Sequence, residues 1–394
     1  MDTTVTQTPT TKYRVLAAIS SAHFLNDMMQ SLILALYPLL KGNYHLSFSQ
    51  IGMLSLAYQI TASILQPLVG MVTDRYTVRH ALSMGMIFNL SGLLLLSQAG
   101  TFPLLLLAAG LIGTGSAIFH PESSRVARMA SGGQHGLAQS IFQLGGNAGS
   151  AAGPLLAALI VIPFGQSSLA WFGAAALMAS FVLWHVSNWA THFHKTNKHQ
   201  AHLRVQPFSN QKTTWALLVL VGLITTKYLY MASIQSYFTF YLIERFGLSQ
   251  QHAQIMLFIF LAGVASGTIA GGPIGDRIGR KSVIWFSILG CAPFTLALPY
   301  LELHMTIVFI FIIGLIMASA FSAILVFAQE LLPGHIGTVS GLFFGLAFGI
   351  AGISAALIGN LADVVGITTV YRITAWVPLA GMIAALLPDL RRQV

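Results

Sequence analysis

Apolar runs long enough to cross a bilayer, roughly 20 residues each, fill nearly the whole of this chain and are cut only by short polar turns. Backbone in hydrocarbon must satisfy its own N–H and C=O groups, which leaves only helices or closed barrels. Barrel strands would alternate apolar and polar side chains over about ten residues, and these runs do not alternate. The chain therefore reads as an all-α membrane protein. Composition agrees: of 394 residues, 55% are hydrophobic and 7% charged, against roughly 25% charged in an ordinary soluble domain.

Cutting at the polar turns gives twelve expected transmembrane helices, near 13–41, 48–73, 80–100, 102–130, 137–162, 168–190, 213–243, 250–275, 282–301, 304–332, 337–362 and 366–389. The first apolar segment is far longer than a signal-peptide core, which predicts a retained anchor. With the N-terminus placed in the cytoplasm, Lys and Arg crowd onto the inner segments, and the outer loops hold only Lys41 and Arg245. This positive-inside pattern predicts that both termini are cytoplasmic. It also accounts for the net charge of +9 by topology, so the expected surroundings are a lipid bilayer and no nucleic acid.

One charge cluster occurs twice. Gly70, Asp74, Arg75 and Arg79 are matched about half a chain later by Gly272, Asp276 and Arg277, followed by Gly279, Arg280 and Lys281. So long a period means two related halves rather than small repeats, and internal symmetry of this kind marks secondary transporters. The expected organisation is an N-terminal six-helix bundle (1–190), a cytoplasmic linker (191–212) and a C-terminal six-helix bundle (213–394), related by pseudo-symmetry. Each cluster lies where an apolar run stops. Its glycine allows close helix approach, and its acid can pair with the bases or with a neighbouring helix end. The clusters read as conformational latches; topogenic charge alone would explain the arginines but not the repeated order.

The linker holds His192, His194, His199 and His202, but no acidic or thiol ligand accompanies them, so it reads as solvated and no metal site is expected. Cys291 is the single cysteine, which excludes an intramolecular disulfide.

Polar groups inside the spans carry the functional reading, because an ionisable side chain at that depth is costly and faces a partner or a water-filled path. In the first span His23, Asn26, Asp27 and Gln30 form a stripe at helical spacing. In the fourth, His120, Pro121, Glu122 and Arg125 combine a helix-breaking proline with an acid and base three residues apart. Asp27 and Glu122 are the candidate proton carriers, although a static pair remains an alternative for each. In the fifth span Gly145, Gly149, Gly153 and Pro154 offer one face for close packing, and Gln139, Gln143 and Asn147 lie on roughly the opposite face. Gly263 and Gly267 in the eighth span, and Gly341, Gly345 and Gly349 in the eleventh, repeat the spacing. In the seventh, Lys227 lies near mid-membrane, followed by Tyr230, Tyr237 and Tyr241, so a cation beside aromatic hydroxyls could hold an anionic head group. Glu330 is expected to partner the basic turns.

The duplicated motif, the twelve spans and the Gly149 to Pro154 segment together resemble the major facilitator superfamily, and the fifth-span segment resembles the antiporter motif of its drug exporters. The sequence departs from the usual motifs at Thr77, Ala157 and Ala158. More narrowly, HFLNDMMQSLILALYPLL (23–40), FHPESSRVARMASGGQHGLAQSIFQLGGN (119–147), GGPIGDRIGRK (271–281) and SAFSAILVFAQELLPG (319–334) resemble the fosmidomycin-resistance transporters of Gram-negative bacteria. The resemblance implies a proton-driven antiporter of the inner membrane that exports a phosphonate antibiotic by alternating access. It also implies that the first, fourth, seventh and tenth spans line a central cavity. Arg125 and Lys227 are then the expected anion-binding bases, and His23, Asn26, Gln30, His120, Gln143, Asn147 and Tyr230 the hydrogen-bonding groups. No cofactor beyond the proton gradient is expected, and a monomer is expected.

Two other classes were weighed. Uptake of an organic anion by symport would use the same cavity charges. An enzyme is disfavoured: GDRIGRKS (275–282) lacks the spacing of a phosphate loop, and no catalytic motif stands in a strand-turn-helix setting.

Overall fold

The computed structural model describes residues 10–46, 48–76, 78–196 and 207–389, and throughout them the regular structure is helical. Thr77, His199 and His202 lie outside the described residues, as does linker segment 197–206. The helices in chain order are α1 (Tyr13–Ala35), α2 (Phe48–Arg75), α3 (Ala81–Gln98), α4 (Phe102–Ala130), α5 (His135–Phe164) and α6 (Gln166–Phe193). The second half supplies α7 (Asn210–Phe246), α8 (Gln250–Ile278), α9 (Arg280–Tyr300), α10 (Leu303–Leu331), α11 (Ile336–Val365) and α12 (Ile367–Leu386).

Eleven of these are long and apolar enough to cross a membrane; α1 is the exception to the expected twelve. Its 23 residues would extend about 34 Å at 1.5 Å per residue, so length is not what it lacks. The stripe of His23, Asn26, Asp27 and Gln30 lowers its hydropathy, and that stripe is turned inward, with His23, Asn26 and Gln30 buried. The helix is amphipathic toward protein rather than toward water.

The helices start and stop on local chemistry. Ser209 and Ser249 accept the N–H groups of Lys212 and His252 and so cap α7 and α8. Between α8 and α9 the chain turns at Gly279, with φ +98°, a conformation that favours glycine. Pro121 does not break α4, which runs unbroken through it. Pro154, which lacks an N–H, precedes a wider π turn over Ala157–Val161 within α5.

Close packing follows the glycines. On α5, a methyl group added at Gly145 or Gly149 would collide with the backbone carbonyls of Ser20 or Phe24 on α1, and at Gly153 with the Ser31 hydroxyl. The glycines of α8 serve the same half: Gly263 and Gly267 pack on the backbone of α10 at Phe311 and Leu315. Those of α11 serve the opposite half, where Gly337 meets Gly70 of α2, Gly341 meets Gln66, and Gly345 meets Ser63. The Ser63 hydroxyl donates to the Gly345 carbonyl at 2.8 Å. The second contact between halves runs along α5 and α8, where the Asn147 amide donates to the Thr268 hydroxyl at 2.7 Å. Identical small-residue spacing thus builds fixed packing on α5 and α8 but an interface between halves on α11.

Overpacking a tight contact costs roughly 1–3 kcal/mol. Gly149→Ala, facing the Phe24 backbone, and Gly153→Ala, facing the Ser31 hydroxyl and its Cβ at 2.7 Å, are each expected to lower the thermal unfolding midpoint in detergent. An unchanged midpoint in both would sink this account of the α1–α5 seam.

Candidate functional site

The inward stripe of α1 converges on α4. Asp27 lies with one carboxylate oxygen 3.3 Å from His23 Nε2 and the other 3.5 Å from His120 Nε2. Both rings are held from behind. His23 Nδ1 is 2.8 Å from the Phe142 carbonyl, and His120 Nδ1 is 2.9 Å from the Ser116 carbonyl. A carbonyl oxygen only accepts, so each Nδ1 carries a proton and each Nε2 faces the carboxylate. Stacking fixes the planes: His23 lies on Phe142 with ring centroids 4.1 Å apart, and His120 packs against Phe344 and Phe348 of α11. The Asn26 amide donates to Asp27 Oδ1 at 2.8 Å and accepts from Asn89 of α3 at 2.6 Å. Gly146 of α5 backs onto His23 and Asp27, where any side chain would collide.

Near this cluster, Gln30 Oε1 accepts from the Tyr58 hydroxyl at 2.6 Å, while its amide nitrogen is buried without a partner. Gln143 is buried with its carbonyl oxygen also unpartnered. Lys227 of α7 is 4% exposed, and among the described residues no carboxylate pairs with it. Its ammonium lies 5.5 and 5.6 Å from the ring centroids of Tyr228 and Phe321. Aromatic faces stabilise a cation by about 0.5–2 kcal/mol, far below the several kcal/mol that burying an ion costs. A built anion site has this character: a desolvated cation with no acid beside it.

Glu122 and Arg125 pair at 3.4 Å, as their spacing on the helix predicts, and Arg125 NH2 also lies 3.4 Å from Asp74 of α2. One guanidinium thus bridges the intramembrane acid and the first conserved-order cluster. Asp74 in turn crosses to the other half of the chain. Its carboxylate accepts the N–H groups of Gly337 and Thr338 at 3.0 and 2.7 Å and the Thr338 hydroxyl at 2.6 Å, all in the first turn of α11. Asp276 repeats the arrangement in mirror sense, accepting the N–H groups of Gly136 and Leu137 at 3.1 and 2.9 Å in the first turn of α5. Each acid neutralises a helix N-terminus of the opposite half.

The bases are distributed around these two contacts. Arg280 pairs with Asp276 at 2.7 Å and with Glu330 at 3.1 Å, Arg79 donates to Asn188, and Lys281 donates to the carbonyls of Ala385 and Leu387. Arg75 and Arg277 are exposed. Between the two acid contacts, Gln329 of α10 donates to Ser124 of α4 at 3.2 Å and to Ser340 of α11 at 2.9 Å, and accepts from Arg128 at 3.1 Å. Gln139 of α5 accepts from Ser124. Four helices drawn from both halves are tied there, by Gln139, which the α5 spacing singled out, and by Ser124, Ser340 and Gln329, which sequence reading passed over, since serines and an isolated glutamine have no spacing signature.

This helical arrangement, with two symmetry-matched acid-to-helix contacts, can be set beside known proteins. The Major Facilitator Superfamily model matches residues 19–356. The chain belongs to this superfamily. The superfamily consists of transporters rather than enzymes, and the chain is a multi-pass membrane protein. It is 58% identical over 384 residues, 97% of this chain and 95% of the relative, to the fosmidomycin resistance protein of Escherichia coli (strain K12). It is 39% identical over 391 residues, 98% of this chain and 95% of the relative, to the uncharacterized MFS-type transporter YfnC of Bacillus subtilis (strain 168). Among superfamily crystal structures, FucP in the outward conformation matches with a TM-score of 0.71 at 16% identity, covering 95% of this chain and 98% of that one.

Several expected site residues stand apart from the cluster. Tyr230, although three residues from Lys227 on the helix, is buried in an apolar core with Phe238, Phe260 and Tyr371; Tyr228 is the ring beside the ammonium. Tyr237 donates to the Ala355 carbonyl and Tyr241 stacks on Tyr371, both as helix packing. Asn26, fully buried, orients Asp27, and Asn147 is engaged with Thr268 rather than open. No metal centre was expected; among the described residues, the donors that converge are His23, Asp27 and His120.

An anion at a partly buried helix N-terminus contributes about 1–2 kcal/mol. Asp74→Asn and Asp276→Asn are each expected to raise the open fraction at this end several-fold, and together more than either alone. Spin-label distances between α2 and α11 would report it, and an unchanged distribution in the double variant would rule the latch out.

Proposed function

We propose that the chain is a proton-coupled exporter of small organic anions of the phosphonate class, an antiporter that confers resistance to fosmidomycin-like antibiotics. In this reading α1 joins the eleven apolar helices as a twelfth span, and the spans form two six-helix bundles, 1–190 and 213–394, that rock about a midplane site. The membrane is the bacterial inner membrane, with both termini and the Asp74 and Asp276 latches on the cytoplasmic side, as the charge asymmetry favours. The named E. coli relative supports the substrate class.

The observation that carries the reading is Lys227, a buried ammonium without an acid. It would hold the anionic head, with Arg125 as second base. Gln30 and Gln143, each with one buried unpartnered amide atom, would complete the hydrogen bonds. His23, Asn26, His120 and Asn147 would shape the cavity around it. Asp27 and Glu122 remain the proton carriers, and Arg125 is shared between Glu122 and Asp74.

Arg125 also favours a second reading. An anion that takes the guanidinium strips Glu122 of its partner, which makes a proton on Glu122 more favourable. Anion and proton would then load together and move in one direction, as in a symporter.

Vesicle experiments separate the two. In energised everted vesicles, fosmidomycin added outside is expected to release lumenal protons, while lipophilic cations are not. Release only when the drug is preloaded in the lumen would establish the symport reading, and no response in either arrangement would defeat proton coupling. Losing a charge-assisted contact costs about 1.5–3 kcal/mol, so Lys227→Gln should raise the half-saturating drug concentration by roughly 10- to 100-fold. A variant with unchanged drug dependence would remove Lys227 from the site.

A further inference from the structure

We propose that His23, Asp27 and His120 bind one divalent first-row transition-metal ion, with a fourth coordination position open to an anionic oxygen of the transported molecule. The ion's presence stands on geometry alone; its contact with the anion rests on the transport reading above.

The three donor atoms, one from each residue, lie within 4.8 Å of one another, two on α1 and one on α4. Two imidazoles and one carboxylate are a donor set for zinc, iron or cobalt, with open positions for a ligand. Their second shell has the form that metal-binding histidines use. Each Nδ1 proton is given to a main-chain carbonyl, at 2.8 and 2.9 Å, which sets the tautomer and aims the Nε2 lone pair at the common centre. The carboxylate is oriented by Asn26, itself held by Asn89, and Phe119, Phe142, Phe344 and Phe348 wall the rings off.

What fills the centre must be a cation, because two lone pairs there face a carboxylate. Two protons would do it, but charge-assisted hydrogen bonds of this kind close to about 2.7–2.9 Å. The contacts stand at 3.3 and 3.5 Å, one to each carboxylate oxygen, and the three donor atoms span up to 4.8 Å, so they would draw in around an ion whose bonds are about 2.0–2.1 Å. A divalent ion beside one carboxylate leaves a single net positive charge, the same as two protons would. Tyr58 and Tyr228 lie within electrostatic range of Asp27, and neither adds an acid. An anionic substrate oxygen is then the natural fourth ligand, and Glu122 with Arg125 is left for proton coupling.

Cobalt is the direct probe. Purified full-length chain without a polyhistidine tag, titrated with Co2+ in detergent, is expected to show the strong visible absorption of four-coordinate cobalt, saturating at one equivalent and bleached by Zn2+. His120→Gln and Asp27→Ala should abolish it, whereas a variant lacking the linker histidines and a His252→Ala variant should keep it. Absence of the bands in the wild-type chain overturns the proposal without touching the transport reading, and this arm needs no variant to fold. Bands that survive in Asp27→Ala, or that vanish with the linker histidines, place the metal elsewhere and overturn it equally.

Discussion

Nothing inside a bilayer compensates a polar group that the protein itself leaves unpaired, and this chain is organised around the few it retains. The helix ends show the effect most plainly. The first turns of α5 and α11 each present N–H groups without an intrahelical partner, and each is answered by a carboxylate from the opposite half, Asp276 and Asp74. Asp276 is also held within its own half by Arg280 at 2.7 Å, and Asp74 by Arg125 at 3.4 Å. The contact of α2 with α11 thus combines this charge-to-helix pairing with backbone-on-glycine packing at Gly70, Gly337 and Gly341, whereas α1 on α5 includes the glycine packing without such an acid.

The same constraint links the ends to the interior. Arg125 lies between Glu122 and Asp74 at equal distances, so any change in the charge of the intramembrane acid is felt by the acid that caps α11. Below it, Gln329, Ser124, Ser340 and Gln139 form a chain of hydrogen bonds across four helices. Such networks are strong while every member is satisfied and costly once one partner moves. They suit a structure that alternates between two discrete arrangements rather than deforming smoothly. Lys227 is the opposite case, a buried charge with no carboxylate partner among the described residues.

Much of the architecture was legible in the residues because bilayer thickness and the cost of charge act on sequence directly. The apolar runs, the duplicated Gly, Asp and Arg order, and the Glu122–Arg125 pair all follow from spacing along one helix. The differences share a cause. Helical spacing predicts which residues share a face, not what lies opposite: Tyr230 meets an apolar core and Asn147 meets Thr268. Tyr228 was missed for the same reason, as were Asn89, Ser124, Gln329 and Ser340, whose partners come from other helices. The glycines of α5, α8 and α11 have one spacing and two different neighbours.

By itself, then, the sequence determined a helical membrane chain with a duplicated Gly, Asp and Arg order and a handful of costly charges within its apolar runs, because hydrophobic length and electrostatic cost are properties of local sequence. Only the tertiary structure decided that Asp74 and Asp276 cap helices across the halves, that Lys227 has no acid beside it, and that two histidines close around Asp27. Those are relations between helices far apart in the chain, fixed by which faces pack together, and no periodicity within a single helix encodes them.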